Sequence, residues 1–222
     1  MSVNVITGFT ASLDIDPQQG FSELCPTELP VPGALEIVPE LLKHHKMVSI
    51  TIVSRDIHPP GAIWETQNSE EIAEPLDFPE VDAKWSPHCI AGTRGAQLLP
   101  GLPPVREYNY QINKGMDTDA HPYGALFHDK AQRKSTGLLE ILKYHHINTV
   151  LVGGLALDIC VLATINQLLD NQLKIILNLA ATRSAVPEKT LPLVKKLLLQ
   201  GVTIVENATQ LQAVKHSTGK II

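Results

Sequence analysis

The sequence predicts an α/β fold, a three-layer sandwich in which a mostly parallel sheet of about six strands is flanked by helices on both faces. Two observations support this class. Short β-branched runs alternate with stretches of helical periodicity along the 222 residues, which is typical of parallel sheets with crossover helices. Apolar residues make up 44% of the chain and charged residues 18%, so a substantial core is available. With no internal repeat or like-charge block, residues 1–222 are expected to form a single domain.

Six short runs have the composition of strands, being β-branched or alternating between apolar and polar residues. The first run is the weakest, because Asp14 and Asp16 interrupt its apolar residues. The predicted strands are residues 12–16, 48–53, 108–112, 149–152, 174–177 and 202–205.

Four stretches between these strands show helical periodicity. Ser135 is the expected N-cap of the second, while Pro187 opens and Gly201 closes the fourth. The segment 59–104 carries many prolines and no clean period, so we expect an irregular excursion at about 56–104, which in a compact domain is more often functional than idle. The predicted helices are residues 34–45, 135–146, 159–169 and 187–199.

Charge and cysteine content limit the class of partner. The formal net charge is -5 and the pI is about 6.0, which argues against nucleic acid and membrane surfaces and favours a small-molecule partner. Three cysteines without a CxxC pair do not build a disulfide scaffold. No targeting segment or run long enough to cross a membrane is recognisable, so a cytoplasmic location is expected.

Chemically active residues follow the predicted strands. In open α/β sheets the ligand lies beyond the carboxyl ends of the strands. Asp16, Asp56, Lys114 and the loop 153–160 all follow such ends. Each position alone could be an ordinary charged strand end, but together they bring two acids, a base and a thiol to one rim.

Cys160 is the candidate nucleophile, because it stands near the first turn of the predicted third helix, where backbone N–H groups and the helix dipole lower a thiol pKa. The alternative is a buried structural cysteine, the interpretation we keep for Cys25 and Cys89. Asp16 could carry the proton and Lys114 could hold both groups charged. Otherwise these two form a solvated ion pair contributing under about 1 kcal/mol.

A metal site is the third candidate. Asp56 and His58 are two residues apart in an extended segment and project to the same side, and His88 can be brought to them by the excursion. The alternative is a surface aspartate with an unrelated loop histidine. The remaining histidines lack such spacing, and most are expected to be exposed: His44, His45, His121, His128, His145, His146 and His216.

Taken together, these residues resemble the nicotinamidase branch of the isochorismatase-like cysteine hydrolases. The resemblance runs in order along nearly the whole chain and includes Tyr123, which is similar to a tyrosine that follows the family's K-G-x-D motif. The matching segments are DPQQGF at 16–21, VPG at 31–33, RDIHP at 55–59, WSPHC at 85–89, GTRGA at 92–96, KGMD at 114–117 and GLALDICV at 154–161.

The resemblance implies a Rossmann-like fold and a catalytic triad. Cys160 would be the nucleophile, Asp16 the general base and acid, and Lys114 the third member. A cis bond between Leu155 and Ala156 is also implied, with the N–H groups of Ala156 and Cys160 forming an oxyanion hole.

The resemblance also implies which residues bind a metal ion and which bind the substrate. Asp56, His58 and His88 would bind one divalent metal ion, with Zn²⁺ favoured and Fe²⁺ or Mn²⁺ as alternatives. The residues implied to bind substrate are Phe21, Trp85, Tyr123, Leu155 and Ala156.

The implied activity is hydrolysis of nicotinamide to nicotinate and ammonia through a thioester, with pyrazinamide as a second substrate and a place in NAD salvage. A homodimer or higher homo-oligomer is compatible with the resemblance. Another cysteine amidase of the superfamily, such as an N-carbamoyl or ureide hydrolase, is the alternative among enzymes, and a non-catalytic ligand-binding relative is the alternative outside them. Isochorismatase itself is disfavoured by Cys160.

The chain departs from the family pattern in four segments. Residues 61–64 (GAIW) replace the second histidine and small polar residue that usually follow R-D-x-H-P. Ser86 stands where a proline is usual, and GALF at 124–127 replaces the residues after the tyrosine. The insertion 66–84 is longer than in compact members, and acidic.

Overall fold

A computed structural model describes residues 4–6 and 9–213, and it confirms the predicted fold class. Its strands are β1 (Asn4–Ile6), β2 (Thr10–Ile15), β3 (Ile50–Asp56), β4 (Pro75–Phe78), β5 (Val81–Ala83), β6 (Tyr110–Lys114), β7 (Thr149–Leu155), β8 (Lys174–Arg183), β9 (Thr203–Val205) and β10 (Leu211–Ala213). Its helices are α1 (Val38–His45), α2 (Leu138–Tyr144), α3 (Leu162–Asp170) and α4 (Thr190–Leu199).

The main sheet has six strands in the order β6-β3-β2-β7-β8-β9, and each neighbouring pair is parallel. Every residue of β2 is buried, as expected of a central strand covered on both faces. The strand order reverses between β2 and β7. This reversal creates the crevice at the carboxyl ends of these strands where ligands of α/β proteins bind.

Hydrophobic side chains of the strands pack on both faces of the sheet. Leu13 of β2 and Val152 of β7 belong to the larger core, which is completed by side chains of α2, α3 and α4. Leu41 of α1 belongs to the core on the other face, together with Phe21 and Leu155. Helices therefore pack on both faces of the sheet, and this packing fixes the positions of the carboxyl ends of the strands.

Helix boundaries differ locally from the prediction. The predicted Ser135 N-cap is wrong: α2 begins after Gly137, and the Ser135 hydroxyl accepts the Gly137 N–H and donates to Glu140. The first predicted helix opens with a 3₁₀ turn, Ala34–Ile37. The third opens with a π turn, Leu157–Val161, before α3.

The excursion at 59–104 is less irregular than predicted, since β4 and β5 form an antiparallel hairpin inside the insertion 66–84. The carbonyl of Glu80 at the hairpin turn accepts the His121 N–H at 2.9 Å, and its carboxylate accepts the Lys130 N–H at 2.8 Å. The hairpin is thereby fixed to the loop that follows β6. No helix within the described part of the chain is long and apolar enough to span a membrane.

Candidate active site

Four predicted residues meet at the carboxyl edge of the sheet. Asp56 and Lys114 are the last residues of β3 and β6, whereas Asp16 directly follows β2. The left-handed backbone at Asp16 (φ 46) turns the chain out of the strand. Cys160 lies in the π turn after β7. Strand topology therefore brings together side chains that are far apart in sequence.

Lys114 is at the centre of this group. Its Nζ lies 2.8 Å from Asp56 Oδ1, 3.0 Å from Asp16 Oδ2 and 3.8 Å from Cys160 Sγ, and the side chain is fully buried. Burial opposes the charge of Lys114, but the two carboxylates outweigh it and raise its pKa well above the ordinary lysine value. The ammonium group therefore stays charged and serves both acids.

The two acids have different environments. Burial raises the pKa of Asp16 above its ordinary range, and Lys114 offsets this in part. The Ser54 hydroxyl donates to Asp16 Oδ1 at 2.6 Å and fixes its carboxylate. Burial also acts on Asp56, yet Lys114 and then His58 hold the pKa of Asp56 well below its ordinary value. Asp16 is therefore the acid of this pair with the higher proton affinity.

The environment of Cys160 contradicts one expectation. Burial raises the pKa of its thiol well above the ordinary value, and Asp16 and Asp56 add to this against the opposing charge of Lys114. The expected helix-dipole effect does not prevail, because Cys160 is enclosed in the π turn before α3. Its sulfur lies within 4.8 Å of oxygens of Asp16 and Asp56. At rest the site therefore holds a thiol beside a carboxylate of raised proton affinity.

His58 and His88 are buried and face one another beside Asp56. The Nδ1–H of His58 donates to the Gly115 carbonyl at 2.8 Å, and the Nδ1–H of His88 donates to the Ser86 carbonyl at 2.7 Å. Since a carbonyl can only accept, Nδ1 carries a proton in both rings, and Nε2 is the nitrogen left to bind a ligand. His58 Nε2 lies 3.5 Å from Asp56 Oδ1. Burial, followed by the neighbouring His58, lowers the pKa of His88 to about 3, so this ring is neutral.

A third histidine in this cluster was missed from the sequence. His121, expected to be exposed, is buried, and its ligand atoms lie within 4.8 Å of those of His58 and His88. No motif spacing signals it. The exposure prediction is also wrong for His44, which is buried, and holds for His146; His45, His128 and His145 are half-buried, and His216 lies outside the described residues.

The donors present fit a divalent metal ion. His58 Nε2 and both ring nitrogens of His121 are buried without a hydrogen-bond partner, which is unusual for polar atoms in a protein interior. Neutral imidazole nitrogens together with a carboxylate are common metal ligands. The cluster thus has the chemistry of a metal-binding group.

A cavity of about 240 Å³ opens above these groups. Phe21, Trp85, Tyr123 and Ala156 line it as predicted for a substrate pocket, and the peptide bond between Leu155 and Ala156 is cis. Leu155, which was also predicted to bind substrate, does not line the cavity. Its side chain is fully buried in the core that contains Phe21 and Leu41. The lining that sequence reasoning missed comprises Glu28, Leu29, Pro30, Val31, Ile72, His121, Ile159 and Ala185.

The insertion 66–84 builds part of the cavity wall. Trp85 Nε1 donates to the Tyr123 hydroxyl at 3.1 Å, and this hydroxyl donates to Asp82 Oδ1 at 2.7 Å. Ile72 contributes an apolar contact surface. The cavity is therefore a mainly apolar slot with a thiol and imidazole nitrogens at its inner end, suited to a small, flat, polar-edged molecule.

Comparison with known proteins agrees with this architecture. Residues 10–208 match the family model of the isochorismatase domain. The nicotinamidase of Acinetobacter baylyi is 30% identical over 155 residues, which cover 68% of this chain and 70% of that relative.

Two solved structures show the same fold. The PnC1 protein of L. infantum, in complex with nicotinate, has a TM-score of 0.80 at 24% identity, covering 96% of this chain and 100% of that one. The pyrazinamidase of Pyrococcus horikoshii, in complex with zinc, has a TM-score of 0.68 at 24% identity, covering 88% and 98%.

The chain therefore belongs to the isochorismatase family. The six-stranded parallel sheet flanked by helices matches isochorismatase-like nicotinamidase structures. Within the family it falls in the nicotinamidase group, and it is a hydrolase that acts on amides.

Proposed function

We propose that this protein hydrolyses nicotinamide to nicotinate and ammonia, accepts pyrazinamide as a second substrate, and acts in NAD salvage in the cytoplasm. The observation that carries this proposal is the buried contact between Lys114, Asp16 and Cys160 at the inner end of an apolar cavity. The nicotinamidase relative and the nicotinate complex of a protein with this fold support the choice of substrate.

Cys160 and Asp16 perform the chemistry. As the sulfur bonds to the amide carbon, the thiol proton passes to the Asp16 carboxylate and the carbonyl π electrons move to oxygen. The N–H groups of Ala156 and Cys160 stabilise that oxygen. When the C–N bond breaks, Asp16 returns the proton to nitrogen, which leaves as ammonia and leaves a thioester.

Water completes the cycle. Asp16 takes a proton from water as the water oxygen attacks the thioester carbon, and the same proton returns to sulfur when the C–S bond breaks. At each stage the Lys114 ammonium stabilises the negative charge, whether it resides on Asp16 or on the Cys160 sulfur. The raised pKa of Asp16 suits a group that must both take and give this proton.

Asp56, His58 and His88 are the residues proposed to hold a divalent ion, with Zn²⁺ favoured over Fe²⁺ and Mn²⁺. When bound, such an ion supplies a Lewis-acid contact for the pyridine nitrogen of the substrate. Phe21 and Trp85 pack on the ring and orient the carboxamide toward the thiol of Cys160. Holding the carboxamide in this orientation lowers the activation barrier for attack by the sulfur.

Ammonia release tests the proposal. Cys160→Ala is expected to lower kcat/KM for nicotinamide by at least about a thousandfold, because the nucleophile is lost. The matched control is Cys25→Ala, a buried cysteine outside the cavity lining, which should retain wild-type activity.

Three outcomes would contradict the proposal. Undiminished activity of Cys160→Ala would exclude the thioester route. Turnover of N-carbamoyl compounds but not of nicotinamide or pyrazinamide would identify another amidase of the superfamily. Binding of nicotinamide without turnover of any amide would indicate a ligand-binding relative.

A further inference from the structure

His121 is the most unusual polar side chain near the cavity. Its ring is 3% exposed, and neither Nδ1 nor Nε2 has a hydrogen-bond partner. Burying a polar group without a partner costs free energy, and buried polar atoms are nearly always paired. The ring is packed between Trp64 and Trp85, with centroids 4.5 and 6.1 Å away. Its unpaired nitrogens are therefore held in place rather than free to turn toward solvent.

The backbone of this segment is fixed from two directions. The His121 N–H donates to the carbonyl of Glu80 in the hairpin turn at 2.9 Å. The carbonyl of the next residue, Pro122, accepts from Lys114 Nζ at 3.4 Å. The insertion and the buried lysine thus determine where the His121 ring lies.

The imidazole nitrogens near His121 lie close together. His58 and His88 each use Nδ1–H on a backbone carbonyl and keep Nε2 free. The ligand atoms of the three rings lie within 4.8 Å of one another. Asp56, in contrast, is already paired with Lys114 at 2.8 Å. Nitrogens of three imidazoles thus lie close together beside Asp56, a carboxylate whose charge Lys114 balances.

We propose that His121 is a ligand of the divalent metal and completes a three-histidine set with His58 and His88. This inference rests on the metal-assisted function proposed above, and it assigns a ligand outside the Asp56, His58 and His88 set. Three imidazole ligands leave open coordination positions for a substrate atom. A nitrogen-rich set also favours Zn²⁺ over Mn²⁺, which prefers carboxylate and water oxygens.

Zinc affinity of the metal-stripped full chain tests the inference. Competition with a chromophoric chelator should show that His121→Ala weakens Zn²⁺ binding by at least about a hundredfold, since even the loss of an outer partner costs about 10–100-fold. The control is His146→Asn, at an exposed histidine with positive φ (54), where asparagine is tolerated. Its Zn²⁺ affinity should equal that of the wild type. Equal affinities of His121→Ala and wild type overturn the inference.

A measurement on the wild type covers the case in which His121→Ala does not fold. In protein with ¹⁵N-labelled histidine, addition of one equivalent of Zn²⁺ should shift the ring nitrogens of three histidines. A shift of only two, or no Zn²⁺ binding, overturns the inference.

The two proposals fail in different ways. A wild type that hydrolyses nicotinamide while His121→Ala keeps its Zn²⁺ affinity overturns the ligand assignment alone. A hundredfold loss of Zn²⁺ affinity in a chain that hydrolyses no amide supports the assignment and overturns the proposed function.

Discussion

Two regions of this molecule bury ionisable side chains, one beside the cavity and one between a helix and the sheet. One is the rim around Lys114. The other, which we term the α1 cluster, consists of Glu40, His44 and Asn178. There Asn178 Nδ2 lies 2.9 Å from both Glu40 Oε2 and His44 Nε2, and Glu40 Oε2 also accepts the Ala208 N–H at 2.7 Å.

The difference lies in whether unpaired atoms face the cavity, not in burial or in pKa. His44 Nδ1 of the α1 cluster also lacks a hydrogen-bond partner, but His44 does not line the cavity. Burial lowers the pKa of His44 to about 4, much as it lowers that of His88 to about 3. In the α1 cluster the carboxylate and the amide satisfy one another and join a helix to the sheet. At the rim several nitrogens keep free lone pairs beside a cavity. A perturbed pKa therefore indicates a functional site only where unpaired polar atoms also lie beside a cavity.

The largest expected effect comes from Lys114→Met. It leaves Asp16 and Asp56 buried without their counter-charge, so the free energy of unfolding should fall by about 3–5 kcal/mol. Activity should fall as well, with kcat/KM for nicotinamide lowered at least about a thousandfold. Urea denaturation and ammonia release measure the two effects.

The control for this change is Lys43→Met, whose lysine pairs with Glu40 of the α1 cluster but is 46% exposed. An exposed pair contributes about 1 kcal/mol at most. If both lysine variants lost the same stability and activity, the distinction between the two regions would not hold.

A smaller effect should appear when pH is lowered. The pKa of buried His44 is about 4, below the ordinary value of 6.5. The unfolded chain therefore binds more protons between pH 6.5 and pH 4, and stability present above pH 6.5 is lost as pH falls through that window. The loss from this group amounts to about 3 kcal/mol.

Urea denaturation at several pH values, for wild type and His44→Gln, checks this expectation. The variant should have a flatter pH dependence between pH 6.5 and pH 4, and its ammonia release at neutral pH should be unchanged. Identical slopes for the two proteins would refute the assignment to His44.

The smallest expected effect is that of Asn178→Ala. It removes the shared donor of the α1 cluster and should lower the free energy of unfolding by about 2 kcal/mol. Because Asn178 lies outside the cavity lining, kcat/KM should stay at the wild-type value. A fall in kcat/KM without a fall in stability would show that the two regions are coupled.

Much of this architecture could be predicted from the sequence because periodicity and strand ends are local signals. Asp56 and Lys114 lie at the carboxyl ends of β3 and β6, the edge at which ligands of open α/β sheets bind. His121 could not be found in this way, since its position depends on a hydrogen bond to Glu80 in a short, proline-containing hairpin that has no clear period. The thiol pKa of Cys160 was misjudged because the helix-end argument ignores burial.

The parallel sheet also governs how the active site comes into existence. Lys114 is 58 residues from Asp56 and 46 from Cys160 along the chain. All neighbouring strands of the main sheet are parallel, and β2 and β7 are neighbours although β3 to β6 lie between them in the chain. Non-local contacts of this kind form late and slowly in folding. A nascent or partly folded chain therefore has no catalytic site, because Cys160, Asp16 and Lys114 meet only after β7, β2, β3 and the edge strand β6 have assembled.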